Sequence, residues 1–474
     1  MKQINTRSFV FLVLSFLSGA CKKDLTVFPA NANVDGNLIT DQRTAQIILN
    51  GVYYRLANAG PGEDATALLD IRWTSIHEIF PSELAGSLAA SYGYDDSISS
   101  LTFSPAFPVI DSMWAYGYNL VNAANGFIKN AAPVTNMPAA AKQQMLAEAR
   151  FLRAFGNSEL MLYFSQYKDP SSKYGIILRD TFVLAANINQ PRSGVAAAYT
   201  SILADLDEAI KGLPVLNSAI YYANASDAKL LKARVLMNRG SAGDYAQVIA
   251  MTNDIITNGP FVLEDSLKDI FLTNGFTSRE VMLAIQPYPN ESIKWIYAGN
   301  YGATNAFVDL LADDARNKWV YKTDTLYSPL LNKVTKYYSG DPYSDQPTAL
   351  SENCYAFRLS EAYLLEAEAI ALSGGDPATA KTLLKTVLSH AGAGARELAA
   401  VDSAATPGAL QLEIVKENLR NFVYENGVDW LALRRLPFAT IQGLNPNIRD
   451  ASKLILPIPA AELVYNNVIQ NPGY

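Results

Sequence analysis

Two helix pairs with the same turn chemistry constrain this chain more than any other feature. Residues 226–239 and 244–257 carry apolar side chains at helical spacing on either side of Gly240 and Gly243. Residues 358–373 and 377–391 do the same around Gly374, Gly375 and Pro377. The first pair reads Ala233-Arg-Val-Leu-Met, then Gly243-Asp-Tyr-Ala, then Val248-Ile249. The second reads Ala362-Tyr-Leu-Leu-Glu-Ala, then Gly375-Asp-Pro-Ala, then Leu383-Leu384. Small alanines let two helices approach closely, and glycine opens the backbone region that a tight turn requires.

A first helix, a Gly-Asp turn and an alanine-bearing second helix resemble a tetratricopeptide repeat. The two pairs stand far apart and outside any fixed period, so the sequence predicts a broken array. Helical spacing also predicts helices over 41–57 (with Thr40 as N-cap), 110–130, 139–167, 193–212, 408–425 and 428–436. The fold class expected is all-α, with tetratricopeptide-like pairs, long irregular loops and little strand. The loops are the stretches at about 60–108 and 258–357, rich in Gly, Pro, Asn, Ser and Tyr. Loops of that length in a compact body tend to be functional, so ligand contacts are expected there.

The N-terminus reads as an export signal. Lys2 and Arg7 precede an apolar run from Phe9 to Leu17, followed by Ser18, Gly19, Ala20 and Cys21. That run is far shorter than the roughly 20 residues a membrane span needs. A cysteine directly after small residues resembles a bacterial lipobox, with Cys21 as the lipidated N-terminus, although Leu17 stands one position further from it than usual. The expected organisation is a signal peptide over 1–20, a lipidated tether over 21–37 and a folded body over 38–474. The only other cysteine is Cys354, so no disulfide is expected, and it is read as a buried small residue ahead of a helix.

Composition narrows the function. The chain of 474 residues is 49% hydrophobic and carries a net charge of −7, without the basic footprint that nucleic acid requires. Two cysteines and two histidines, His77 and His390, cannot build a usual zinc site, and no metal or cofactor is expected. His77-Glu78 lacks a second histidine at metalloprotease spacing, and neither a Gly-x-Ser-x-Gly elbow nor a phosphate loop is present. Acidic pairs occur at Glu63-Asp64, Asp95-Asp96 and Asp313-Asp314; a glycosidase needs two carboxylates at a set separation, which sequence does not reveal. No catalytic residue is assigned.

The C-terminal sequence resembles the SusD/RagB family, and the likeness runs nearly end to end. It is carried by Leu456-Pro-Ile-Pro-Ala-Ala-Glu462, Asn466 and the finish Gln470-Asn-Pro-Gly-Tyr474. Upstream, Glu417-Asn-Leu-Arg420, Glu425, Gly427, Trp430 and Leu433-Arg434-Arg435 are similar to that family's signature helix and turn. Arg358-Leu359, Glu361, Tyr363-Leu364 and Ala367-Glu368-Ala369, with Trp114 to Asn125, Glu148 to Tyr163, Tyr174-Gly175-Ile176, Asp314 and Arg316, follow in familiar order. Asn426 stands as an insertion before Gly427, Val428-Asp429 replaces a more polar pair, and Ala432 stands where the family commonly has Asp.

The resemblance implies a non-enzymatic lipoprotein of the outer membrane, facing the cell exterior and held by its lipid anchor alone. It would bind an oligosaccharide, or a peptide, and deliver it to a SusC-like TonB-dependent transporter. Two other readings stay open: a helical scaffold for protein partners, and a surface glycan hydrolase. Sugars stack their C–H faces on aromatic rings, so loop aromatics beside polar residues are the natural ligand contacts. Those candidates are Trp73, Tyr92, Tyr94, Trp295, Tyr297 and Tyr301, whereas Trp114 and Trp430 are read as core.

Overall fold

The computed structural model of the protein describes residues 38–58, 73–91, 95–285, 294, 300–325, 331–338 and 348–474. The signal run, Cys21 and the tether lie outside them. The principal helices are α1 (Gln42–Asn58), α2 (Phe80–Leu84), α3 (Pro108–Ala131), α4 (Ala139–Phe164), α5 (Val195–Gly212), α6 (Ala225–Arg239) and α7 (Asp244–Asn258). They continue with α8 (Leu359–Ser373), α9 (Pro377–Ala391), α10 (Ala395–Ser403), α11 (Pro407–Phe422) and α12 (Val428–Leu433). Among the described residues, six short strands complete the set: β1 (Leu88–Ala90), β2 (Val281–Ile285), β3 (Tyr301–Ala303), β4 (Tyr321–Asp324), β5 (Leu331–Val334) and β6 (Cys354–Arg358). The chain is mostly helical, as the periodicity predicts.

Local chemistry sets the helix ends. At α1 the cap is Asp41 and not Thr40: the Asp41 carboxylate accepts from the Thr44 amide at 2.8 Å. Asn224 and Asp227 form a reciprocal capping box at α6, which ends on Gly240 at φ 62°. Asp376 accepts from the amides of Ala378 and Thr379, with Pro377 at the first helical position of α9.

Each helix from α3 to α9 packs on its successor, and α7 lies directly against α8 although residues 259–358 separate them in sequence. The array broken in sequence is therefore continuous in space. The stack is close where side chains are missing: a Cβ on Gly117 would lie 2.6 Å from Leu160 Cγ, and one on Gly156 would lie 2.9 Å from Val121 Cγ2. α1 packs on α3 and α4, and α12 packs between α11 and α2.

Two excursions leave this array. The first, between α1 and α3, contains a stretch expected to be a loop that is helical from Trp73 to Leu84, with a π-helical portion over Thr74–Ile79. Every residue from Trp73 to Ile79 is buried, so the segment shows no polar face and no amphipathic period from which it could be read. The second excursion, between α7 and α8, carries β2 to β6. β2 and β6 pair antiparallel across a bulge, and β1, β3, β5 and β4 form a four-stranded sheet in that order. A second apolar cluster, centred on Phe271, Trp319, Tyr337, Tyr355 and Tyr424, lies beneath these strands. Trp319 is buried within it, Trp114 and Trp430 are buried in the principal core, and Cys354 is fully buried at the start of β6.

Candidate functional site

The β1–β3 ladder is what joins the two excursions. It pairs Leu88 with Ala303, Ala89 with Gly302 and Ala90 with Tyr301, and the Ser91 amide extends it by donating to the Asn300 carbonyl at 2.8 Å. In sequence, Tyr92 and Tyr94 follow Ser91, and Trp295 and Tyr297 precede Asn300, so the described residues from which these two segments run meet at one end of the ladder. Tyr301 is half-buried, resting on the aromatic cluster below. Tyr92, Tyr94, Trp295 and Tyr297 lie outside the described residues.

Both segments are anchored at their far ends. Lys294, the neighbour of Trp295, is fully buried: its amide donates to Glu352 at 2.8 Å, and its ammonium donates to Glu78 at 3.0 Å and to the Asn353 carbonyl at 2.6 Å. The same ammonium lies 3.6 Å from the centre of the Tyr337 ring, a cation–π contact strengthened by the absence of water. Burial pushes the Glu78 carboxyl up to about 7, against the opposing pull of Lys294. On the other segment, Asp95 accepts from the Ser97 amide at 2.8 Å and closes a turn.

Beneath the ladder, Arg358 donates to Glu425 at 2.7 Å and to Glu280 at 2.6 Å, while Lys336 reaches Glu425 at 2.5 Å. Arg316 bridges Asp314 and Glu417, each at 2.7 Å. These charges are shut away from solvent, and they position the strands and the aromatic cluster. Glu83, at the end of α2, is buried; burial first, then the charges of Asp95 and Asp96, push its carboxyl up to about 9. At neutral pH it is an uncharged carboxyl able to donate a hydrogen bond. Neither Lys294 nor Glu83 carried a sequence signal, since a lone charge in an irregular stretch reads as solvated.

One candidate is corrected. Trp73 was expected as a loop aromatic open to ligand, but it is 1% exposed. Its ring stacks on His77 at 4.0 Å and lies 5.9 Å from Phe155, within the principal core. The buried helix that starts at Trp73 puts it there, so it is a packing residue. His77 is equally enclosed, and burial pushes it down to about 3, leaving it neutral. Of the acidic pairs, Asp313 is engaged by Arg396 at 3.0 Å and Asp314 by Arg316, while Glu63-Asp64 lies outside the described residues. Among the described residues, no group of three or more His, Cys, Asp or Glu could hold a metal ion.

The SusD family model matches residues 271–474. Over these residues, somewhat less than half of its length, the chain is similar to the SusD family. The SusD fold extends over nearly the whole molecule. A SusD superfamily protein from Bacteroides thetaiotaomicron superposes with a TM-score of 0.73 at 20% identity, over 91% of this chain and 100% of that one. A laminarin-binding SusD-like protein gives 0.71 at 20% identity, over 92% and 100%. NanU of B. fragilis gives 0.73 at 17% identity, over 94% and 100%. No curated protein matches the chain in sequence. The SusD family match begins at Phe271, inside the second excursion, and spans the buried Arg358–Glu425 pair, α8 to α12 and the C-terminus. The residues that depart from the family pattern are absorbed locally. Asn426 donates to the Ala356 carbonyl at 3.1 Å, Gly427 takes φ 73°, and Asp429 accepts from Ser82 at 2.5 Å.

Proposed function

We propose that this chain is a lipid-anchored outer-membrane protein that captures an oligosaccharide at the open end of the β1–β3 ladder. It then delivers its ligand to a SusC-like TonB-dependent transporter. The observation that supports the reading is the ladder itself: Ser91, which precedes Tyr92 and Tyr94 in sequence, meets Asn300, which follows Trp295 and Tyr297, beside the half-buried Tyr301. Aromatic rings gathered over a rigid support bind sugar faces, with affinity set by stacking and by hydrogen bonds from flanking Asn and Asp residues. A solved structure with this fold is a laminarin-binding protein, which supports a glycan as ligand. Anchoring through Cys21 agrees with the described residues holding no helix long and apolar enough to cross a membrane. Delivery to a transporter and exposure on the outer surface are what the likeness to the SusD family suggests.

The test is calorimetric titration of the purified chain against laminarin-type and other oligosaccharides and against short peptides, with turnover followed in parallel. Binding without turnover is expected. Trp295→Ala should weaken it at least tenfold, a change of about 1.4 kcal/mol. A Trp295→Ala protein that binds as tightly as the parent would remove the ladder edge from consideration. Glycan turnover would favour the hydrolase reading.

A further inference from the structure

The connector between α5 and α6 roofs a recess that shares no residue with the ladder. A cavity of about 220 Å³ is lined by Gln46 of α1, Gln144 and Glu148 of α4, and Asn217, Ser218 and Tyr222 of the connector. It adjoins a second cavity of about 260 Å³ through Leu216, Asn217 and Tyr222. The second chamber is mostly apolar, walled by Ile220, Phe261, Val281 and Met282, with Arg279 at its exposed rim. Together the two reach the size of small-molecule sites, about 300–1,000 Å³.

Hydrogen bonding in the polar chamber is lopsided. The Tyr53 hydroxyl donates to Glu148 Oε2 at 2.7 Å, and the Tyr222 hydroxyl donates to Asn50 Oδ1 at 2.9 Å. Gln144 engages both amide hydrogens, one on Glu148 Oε1 at 3.2 Å and one on Asn217 Oδ1 at 3.3 Å. Asn217 donates to the Ala223 carbonyl and Gln46 donates to Asn50, each at 2.9 Å. Most donors are therefore engaged within the wall. What remains is acceptor capacity: the other lone pairs of Glu148 and the carbonyl oxygens of Gln46 and Gln144.

Glu148 is also a carboxyl without a counter-ion, and burial raises its value above the ordinary carboxylate range, so a bound cation would stabilise its charged form. It is buried, it is hydrogen-bonded only to neutral groups, and no cationic side chain pairs with it among the described residues. Arg279 lines the other chamber and does not neutralise it. A hard divalent cation is a poor occupant, since it takes six or more oxygens and usually several carboxylates, and this chamber offers one. An ammonium group, with three donors and no acceptor, complements the chamber in both charge and hydrogen bonding.

We propose that this recess binds a primary ammonium group, held by the Glu148 carboxylate and the side-chain carbonyls of Gln46 and Gln144. The body of the ligand passes over Leu216 and Tyr222 into the apolar chamber. An amino sugar and the free amino terminus of a peptide carry the same group. The site stands independently of the ladder edge, so failure of one does not bear on the other.

The experiment titrates the purified chain with glucosamine and with leucinamide, each beside its N-acetyl derivative. At least one free amine should bind, with N-acetylation weakening it tenfold or more, and the amine that binds identifies the source. Glu148→Gln should lose the same factor. Gln46→Leu, on the half-exposed face of α1, should lose about threefold and serves if Glu148→Gln fails to fold. The proposal is overturned if neither amine binds, if free and acetylated forms bind alike, or if folded Glu148→Gln and Gln46→Leu proteins bind as the parent does.

Discussion

In the array from α3 to α9, neighbours are held by apolar packing so close that glycine replaces a side chain at Gly117 and Gly156. In the excursion between α7 and α8, strands of three to five residues are held by Arg358, Lys336, Arg316 and Lys294, each fully buried against carboxylates. The array buries chiefly alanine and leucine beside the buried Arg234–Glu361 pair between α6 and α8, so most of its stability comes from area and shape. Strands this short supply little area of their own, and charged pairs fix their positions at the cost of desolvation. A region built by directional contacts can change loop sequence while its anchors stay.

The largest expected effect tests that contrast. Glu425→Gln deprives two buried cations, Arg358 and Lys336, of their shared negative charge, and should cost about 3–5 kcal/mol in chemical denaturation. A loss below about 1 kcal/mol would mean that charge pairing does not hold the excursion. Trp73→Ala should lower stability by a similar amount, about 3–5 kcal/mol, because it empties a core site. It should leave ligand affinity unchanged, the reverse of Trp295→Ala, and a Trp73→Ala protein that is stable but blind to ligand would return Trp73 to the site.

Within the array the effect is smaller. Gly156→Ala gains helix propensity but drives a methyl to within 2.9 Å of Val121 Cγ2 and 3.1 Å of the Gly117 carbonyl. The clash should win, with a net loss of about 1–3 kcal/mol read as a drop in Tm. A gain in Tm would show that α3 and α4 can separate without penalty, and that the array is looser than its geometry states.

The two regions also differ in how far they could be read from sequence. The helices over 110–130, 244–257 and 377–391 show one polar and one apolar side, and the structure places them within two residues of those bounds. The Gly-Asp turns were legible because Gly240, Gly243 and Gly374 need a positive φ, at 62°, 84° and 75°. The Trp73–Leu84 helix was not, because burial on all sides erases the period. The β1–β3 ladder was not legible either: three residues per strand, at Leu88–Ala90 and Tyr301–Ala303, are too few to show alternation. The candidate aromatics could be named from their polar neighbours, yet only the ladder shows that Ser91 and Asn300, which flank the segments carrying Tyr92 and Trp295 in sequence, meet in space. Trp73 failed the same reading because its neighbour His77, which looked like a polar companion at a surface, is its stacking partner in the core.

The smallest expected effect concerns the carboxyl between the two regions. Glu83 closes α2, next to the array's partner α12, and lies near Asp95 and Asp96 at the far end of the first ladder segment. Its ordinary value of 4.5 is raised to about 9, so the folded state keeps a proton that the unfolded chain releases. The sign follows: this contribution to stability is fully present below about pH 4.5 and is lost as pH rises towards 9. Glu83→Gln keeps the shape and the neutral state at every pH. It should therefore remove part of the decline between pH 5 and 9 and exceed the parent by on the order of 1–2 kcal/mol at the alkaline end. His77 works in the opposite direction and over a lower window. Held neutral with its value lowered to about 3, it contributes stability above about pH 6.5 that is lost as pH falls towards 3. Denaturation midpoints of the parent and Glu83→Gln across pH 5 to 9 separate the two, since His77 acts alike in both proteins. Parallel curves would place Glu83 in contact with water or a cation, and would make the edge of the ladder more open than its burial indicates.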